Sequence, residues 1–114
     1  MNIQFANRKL EKEFNDAKLL KRKHGERRAK LIANRMAIFD QAKCLADLGP
    51  PYRGPYRCHE LRQNRSGQLS VDLDHPYRLI FRPSLEPAPT RVEGGLNWSK
   101  VTDITILEIV DTHE

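Results

Sequence analysis

Hydrophobic residues at every second position between residues 57 and 81 constrain the fold of this chain more than any other feature. Two such runs are present: Leu69, Val71 and Leu73, followed by Tyr77, Leu79 and Phe81. A period of two is typical of β-strands that bury one face. Charged side chains take alternate positions: Asp72, Asp74, Arg78 and Arg82. The pattern predicts a small sheet whose exposed positions suit a negatively charged partner.

The remaining residues predict the fold class. Apolar residues at helical spacing indicate one helix from an Asn7 N-cap to about His24, and a second from about Glu26 to Leu48. Strands are expected near residues 2–5, 57–62, 68–73, 77–82 and 104–110. Residues 83–100 are rich in proline and glycine and predict a surface loop. The order β-α-α-β-β-β-β predicts one α+β domain over residues 1–114, with a two-helix hairpin on one face of a small, mostly antiparallel sheet.

The positive charge of the chain is unevenly distributed. The formal net charge is +5, and the isoelectric point is about 9.5. Residues 8–35 contain 11 Lys or Arg against 4 Asp or Glu, whereas residues 83–114 contain 2 against 6. A polyanion is therefore a plausible partner. A solvated basic helix gives the same net charge, so the charge alone does not decide between these two interpretations.

Several classes of protein do not fit the sequence. No segment has the roughly 20 consecutive apolar residues that cross a membrane, and the N-terminus lacks the apolar core of a secretory signal. Cys44 and Cys58 fit neither a disulfide framework nor a metal motif, and they predict free, partly buried thiols in a reducing cytoplasm. Ligand pairs with zinc-type spacing and glycine-rich phosphate loops are also missing. No metal or cofactor is expected.

Four segments of the chain resemble one protein family. They are His59-Glu-Leu-Arg62, Arg65-Ser-Gly67, Asp74-His-Pro-Tyr-Arg78-Leu-Ile-Phe81 and Glu108-Ile-Val-Asp111-Thr-His113. These segments, in this order, resemble the HigB ("killer protein") branch of the RelE/ParE superfamily, the toxins of bacterial type II toxin–antitoxin pairs. The resemblance implies a RelE-like fold and a ribosome-dependent endoribonuclease that cuts mRNA in the ribosomal A site. It also implies a HigA-like helix-turn-helix antitoxin as partner and a toxin that is monomeric when alone.

The resemblance also implies an active site. By residue type and strand position, the family's proposed catalytic positions match His59, Arg78, Asp111 and His113. Arg62 stands where the family commonly has lysine. Thr112 stands where the family commonly has tyrosine, so this chain lacks that phenol. Candidate RNA-binding residues are Arg62, Arg65, Lys21, Arg22 and Lys23.

Metal-free RNA cleavage explains why these residue types suit the site. The 2′-hydroxyl attacks the phosphate, so the reaction needs a base, a cation for the phosphorane and an acid for the 5′-oxygen. Histidine suits the proton transfers, and the arginine fork suits the phosphate. If the strands of His59 and His113 are neighbours, two imidazoles face one site, and Asp111 is available to orient one of them. Arg78 is the expected phosphate clamp.

Structural roles remain open for each of these residues. Arg78 has a cross-strand ion pair with Asp72 or Asp74 as its alternative. His113 lies near the chain end, where fraying is usual. His24 and His75 are expected to be structural. The basic run at residues 18–30 is either a solvated helix face or a set of positioning contacts to RNA.

Two other functions compete with the ribonuclease. One is a ParE-like inhibitor of DNA gyrase without RNA chemistry, and the other is a non-catalytic degenerate toxin or RNA-binding module. A gyrase inhibitor has no need of convergent acid–base residues. His59 together with Arg78, Asp111 and His113 therefore favours the ribonuclease.

Overall fold

The computed structural model describes residues 1–111 of the chain. Its strands are β1 (Asn2–Phe5), β2 (His59–Glu60), β3 (Leu69–Asp72), β4 (Tyr77–Pro83) and β5 (Asp103–Asp111). Its helices are α1 (Arg8–Phe14), α2 (Ala17–His24) and α3 (Glu26–Gln41). Short 3₁₀ turns cover Leu45–Leu48, Gln63–Arg65 and Trp98–Lys100. The predicted α+β class is confirmed.

The five strands form one sheet in the order β1-β5-β4-β3-β2. β1 runs parallel to β5, and the other neighbouring pairs are antiparallel. The predicted mostly antiparallel sheet is therefore confirmed. β2 is much shorter than predicted, because Arg57 and Gln63 on either side of it have positive φ values of 50° and 56°, which end extended pairing.

Both predicted helices differ from the structure in their extent. The first is divided into α1 and α2 because the Asp16 carboxylate accepts hydrogen bonds from the backbone N–H groups of Lys18 and Leu19, at 3.0 and 3.1 Å. These bonds cap a new helix within the predicted one. The second ends at Gln41 rather than Leu48, and residues 45–48 form a 3₁₀ turn.

The three helices form a layer on one face of the sheet, where the hydrophobic core lies. Phe39 of α3 packs against Phe81 of β4 with ring centroids 4.9 Å apart. The Arg28 guanidinium lies 3.4 Å from the ring centroid of Tyr77. Core residues of the sheet include Leu69, Val71, Leu79, Phe81, Ile104 and Ile106. The alternating residues that predicted the strands therefore face the helices.

The opposite face of the sheet carries mostly polar side chains. Pairing across the sheet joins His59 to Ser70, Ser70 to Ile80 and Ile80 to Glu108, and it joins Asp72 to Arg78. Directly paired residues share one face. We call the face formed by His59, Ser70, Asp72, Arg78 and Glu108 the polar face. Ile80 lies among them, is fully buried, and is not part of the core beneath the helices.

The structure bears on three further predictions, which concern the cysteines, membrane crossing and the loop after β4. Cys44 is half-buried and Cys58 is buried, and both are free thiols as predicted. Burial raises the pKa of Cys58 to about 12. Among the helices of residues 1–111, none combines the length and apolar character that crossing a membrane requires. The loop after β4 is largely exposed and contains one bridge between Thr90 and Leu96.

Candidate active site

The imidazole of His59 is held at the edge of the polar face. Its ring nitrogen Nδ1 lies 2.6 Å from the carbonyl oxygen of Arg57. A carbonyl can only accept, so Nδ1 carries the proton and donates it. In the neutral ring, Nε2 then keeps a lone pair. Ser70 Oγ and Arg78 Nη1 each lie 3.5 Å from Nε2.

Burial favours the neutral form of this imidazole. His59 is 4% exposed, and desolvation lowers the pKa of His59 below its ordinary value of 6.5. The bond to the Arg57 carbonyl opposes this change, whereas the charges of Arg78 and Arg57 add to it. At neutral pH the ring is therefore an uncharged proton acceptor whose lone pair points towards an arginine.

Two strained residues hold the ring in place. Tyr52 stacks on His59 with centroids 4.1 Å apart and an interplanar angle of 15°. Tyr52 has a φ of 66° and Arg57 has a φ of 50°. Residues other than glycine rarely adopt positive φ values of this kind. Strain of this kind persists where the surrounding structure imposes it, and it is concentrated at functional sites. Here both strained residues contact His59: Tyr52 stacks on the face of the imidazole, and the Arg57 carbonyl accepts from Nδ1.

The tight path of residues 49–57 depends on glycine. A Cβ atom on Gly54 would collide with the carbonyl oxygen of Leu48. The segment closes on itself through a hydrogen bond of 3.1 Å from Tyr52 N–H to the Cys58 carbonyl. Residues 49–57 are therefore a folded loop that positions the imidazole.

Asp72 connects two arginines beside His59. Its Oδ1 lies 3.5 Å from Arg78 Nε, and its Oδ2 lies 3.5 Å from Arg57 Nε. The ion pair between Arg78 and Asp72, one of the structural alternatives for Arg78, is thus present, but the same guanidinium also reaches His59. Two cations against one carboxylate leave a net positive charge, which suits an anionic group such as a phosphate.

The other carboxylate considered for Arg78 has a different partner. Asp74 accepts bonds from Arg28 Nε and Nη2 at 2.9 and 3.0 Å. These side-chain bonds lower the pKa of Asp74. This ion pair lies beside Tyr77 on the helical side, so Arg78 contacts Asp72 alone of the two carboxylates.

Asp111 lies on the other side of the sheet from Arg78. The register pairs Tyr77 with Asp111 and Arg78 with Val110. Successive strand residues point to opposite faces, so Asp111 shares the face of Tyr77. The structure does not bring Asp111 together with His59 and Arg78, and its catalytic role stays a prediction. His113 and Thr112 lie outside the described residues, so the pairing of His113 with His59 also stays a prediction.

The candidate RNA-binding residues fall in two separate regions. Arg65 reaches the polar face, where Nη1 donates to Gln68 Oε1 at 2.9 Å and to Glu108 Oε2 at 3.1 Å. Arg62 is exposed near β2. Lys21, Arg22 and Lys23 lie on α2 in the helical layer, on the far side of the sheet from His59.

A buried carboxylate ties α1 to the last turn of α2. Lys23 Nζ lies 2.6 Å from Glu13 Oε1, and His24 Nε2 lies 2.7 Å from Glu13 Oε2. Burial opposes ionisation of Glu13, but the bonds from Lys23 and His24 outweigh it and lower the pKa of Glu13. Lys23 and His24 therefore have structural contacts here, which agrees with the structural role expected for His24.

Sequence reasoning missed Tyr52 and Ser70. Tyr52 was hidden in a proline- and glycine-rich stretch, and no periodic pattern connects it to His59. Ser70 sits at the alternate position of a predicted strand, which was a usable signal, because that position shares a face with Asp72 and Arg78. Within residues 1–111, no group of three or more His, Cys, Asp or Glu side chains is arranged to hold a metal ion.

A scan of protein-family models gives no match to the chain. A search of curated proteins gives no match either.

Proposed function

We propose that this protein is the toxin of a type II toxin–antitoxin pair, and that it acts as a ribosome-dependent endoribonuclease on mRNA without a metal ion. The observation that carries the proposal is the state of His59. Its Nδ1 is committed to the Arg57 carbonyl, and its Nε2 lies 3.5 Å from the Arg78 guanidinium. A neutral imidazole with a directed lone pair beside a phosphate-binding cation supplies two of the three groups that the reaction needs, the base and the cation.

In the proposed reaction, His59 Nε2 accepts the proton of the 2′-hydroxyl. The 2′-oxygen forms a bond to phosphorus, and the bond from phosphorus to the 5′-oxygen breaks. The products are a 2′,3′-cyclic phosphate and a 5′-hydroxyl. Arg78 and Arg57 stabilise the charge on the phosphorane, since their guanidinium groups lie beside Asp72 at the site. His113 is the expected acid for the 5′-oxygen.

The ribosome and the antitoxin enter the proposal through the family resemblance. The exposed basic residues of α2, among them Lys21 and Arg22, support an acidic partner surface or rRNA on the helical side. This side is opposite His59, so a partner can bind there without covering the imidazole. Hydrogen exchange of the toxin–antitoxin complex tests this arrangement, and protection confined to residues 57–81 and 108–113 would contradict it.

The test of the activity is translation of a defined message in vitro, followed by primer extension and analysis of the new ends. We expect cuts within ribosome-bound codons and cyclic phosphate ends. Arg78→Ala should slow cleavage by about 10²–10³-fold, and His59→Gln by about 10²–10⁴-fold. Arg53→Ala is the matched control, because Arg53 is an exposed arginine of the loop at residues 49–57, and this variant should cleave normally.

One outcome would overturn the proposal, and a second would overturn only the role of Arg78. Intact message together with trapped breaks in gyrase-bound DNA would favour the ParE-like inhibitor. Full cleavage by Arg78→Ala with a large loss of thermal stability would show that Arg78 is a structural partner of Asp72.

A further inference from the structure

A cavity of about 430 Å³ opens beyond the edge strand β2. Pro50, Pro51 and Leu96 give it apolar walls, and Glu60, Arg91 and Trp98 give it polar and aromatic ones. This volume lies within the range of small-molecule sites, and rigid apolar walls with a few directed polar groups are typical of them. No residue of the cavity takes part in the proposed proton transfer.

The cavity is joined to the active site by two stretches of chain. Glu60 directly follows His59 on β2, and Pro51 directly precedes Tyr52, whose ring stacks on His59. Successive strand residues point to opposite sides, and β2 is an edge strand of the sheet formed by residues 1–111. An RNA strand crossing this edge can therefore place one nucleotide at His59 and an adjacent base in the cavity.

The side chains of the cavity match the chemistry of a nucleobase. Trp98 Nε1 donates a hydrogen bond of 3.2 Å to Glu60 Oε2, which holds the indole and the carboxylate in a fixed relation. An indole is a stacking surface for any base. A carboxylate only accepts hydrogen bonds and has several lone pairs, so one bond to the indole leaves capacity for a ligand. Arg91 only donates.

This pairing of an acceptor with a donor selects among the bases. Guanine offers two adjacent N–H donors to a carboxylate on its Watson–Crick edge, and O6 and N7 accept from arginine. Uracil offers one N–H donor between two carbonyl groups. We propose that this cavity is a guanine-binding subsite in which Trp98 stacks on the base, Glu60 accepts from its N–H groups and Arg91 donates to its acceptors. The subsite rests on the proposed function for its natural ligand, an RNA strand.

Trp98 provides a direct readout, because it is the single tryptophan of the chain. The experiment is titration of the full-length protein with guanosine 5′-monophosphate and uridine 5′-monophosphate, followed by tryptophan fluorescence with inner-filter correction. Neither nucleotide has a phosphodiester to cleave, so binding is measured independently of catalysis. We expect the guanine nucleotide to quench Trp98 at a concentration about tenfold lower than the uracil nucleotide.

Three variants make the test specific. Glu60→Gln keeps a carbonyl that accepts from the indole but loses the paired acceptors, so the preference for guanine should disappear. Arg91→Ala should weaken binding of the guanine nucleotide by about tenfold. Glu86→Gln removes an exposed carboxylate of the loop that also contains Arg91, but outside the cavity. This variant should bind the nucleotides as the wild type does.

Equal quenching by both nucleotides, or a full guanine preference in Glu60→Gln, would overturn the subsite. The two proposals fail separately. Message cleavage without nucleotide binding would contradict the subsite and leave the ribonuclease. Guanine-selective binding without message cleavage would contradict the ribonuclease and leave the subsite.

Discussion

Acidification should destabilise this protein through His59. Burial lowers the pKa of His59 below the ordinary value of 6.5, and the charges of Arg78 and Arg57 reinforce this effect. In the unfolded chain the same imidazole titrates near its ordinary pKa, so just below pH 6.5 the unfolded chain binds more protons than the folded one. The stability contributed by neutral His59 is therefore complete above pH 6.5 and is lost as the pH falls towards the folded-state pKa.

The size of this loss in the free energy of unfolding follows from the single proton that His59 binds. A difference of one bound proton changes the free energy of unfolding by about 1.4 kcal/mol per pH unit. Between pH 6.5 and 5 the loss attributable to His59 is thus at most about 2 kcal/mol. Backbone bonds lower the pKa of Asp47, and the Arg28 bonds lower that of Asp74, so these two carboxylates stay ionised over this window.

Urea unfolding of the wild type and of His59→Gln, from about pH 5 to about pH 8, measures this effect. The free energy of unfolding of the wild type should fall relative to that of the variant as the pH decreases. Parallel curves for wild type and His59→Gln would refute the argument that the buried ring is kept neutral.

Three other contacts predict separate outcomes. Tyr52→Ala should lower the single-turnover cleavage rate by about 10- to 100-fold, while Tyr52→Phe keeps it, because the 4.1 Å stack on His59 needs a ring and no hydroxyl; equal rates for both variants would contradict this. Arg28→Ala should reduce the free energy of unfolding by about 1–3 kcal/mol and leave cleavage unchanged, because its bonds to Asp74 lie on the helical side; unchanged urea unfolding would contradict this. Ile32→Ala removes a fully buried side chain and should cost about 2–5 kcal/mol in urea unfolding, and a cost below about 1 kcal/mol would show that α3 is not packed on the sheet as described.

The strands could be predicted because their signal is local. A strand that buries one face has apolar residues at every second position of its sequence. Leu69, Val71, Leu79 and Phe81 follow this pattern, and they face the helices. The two-residue length of β2 could not be predicted, because it depends on the positive φ values of its neighbours.

The helices were predictable in type but not in extent. Apolar spacing indicates a helical face, but Asp16 competes by capping a new start within it. Asp16 can either continue a helix or cap the start of a new one. Which of the two it does depends on the bend between α1 and α2 that keeps Leu20 in the core, and the core exists only in the folded chain.

By itself the sequence determined the α+β class, the alternating strands and the residue types of the candidate site. Only the tertiary structure decided which of those residues meet. Register places Arg78 beside His59 and Asp111 on the other face, since a shift of one residue reverses every side chain of a strand. Tyr52 reaches His59 through a loop whose strained backbone is maintained by the packing around it. Such contacts join residues that are distant in sequence, so no local pattern of residues records them.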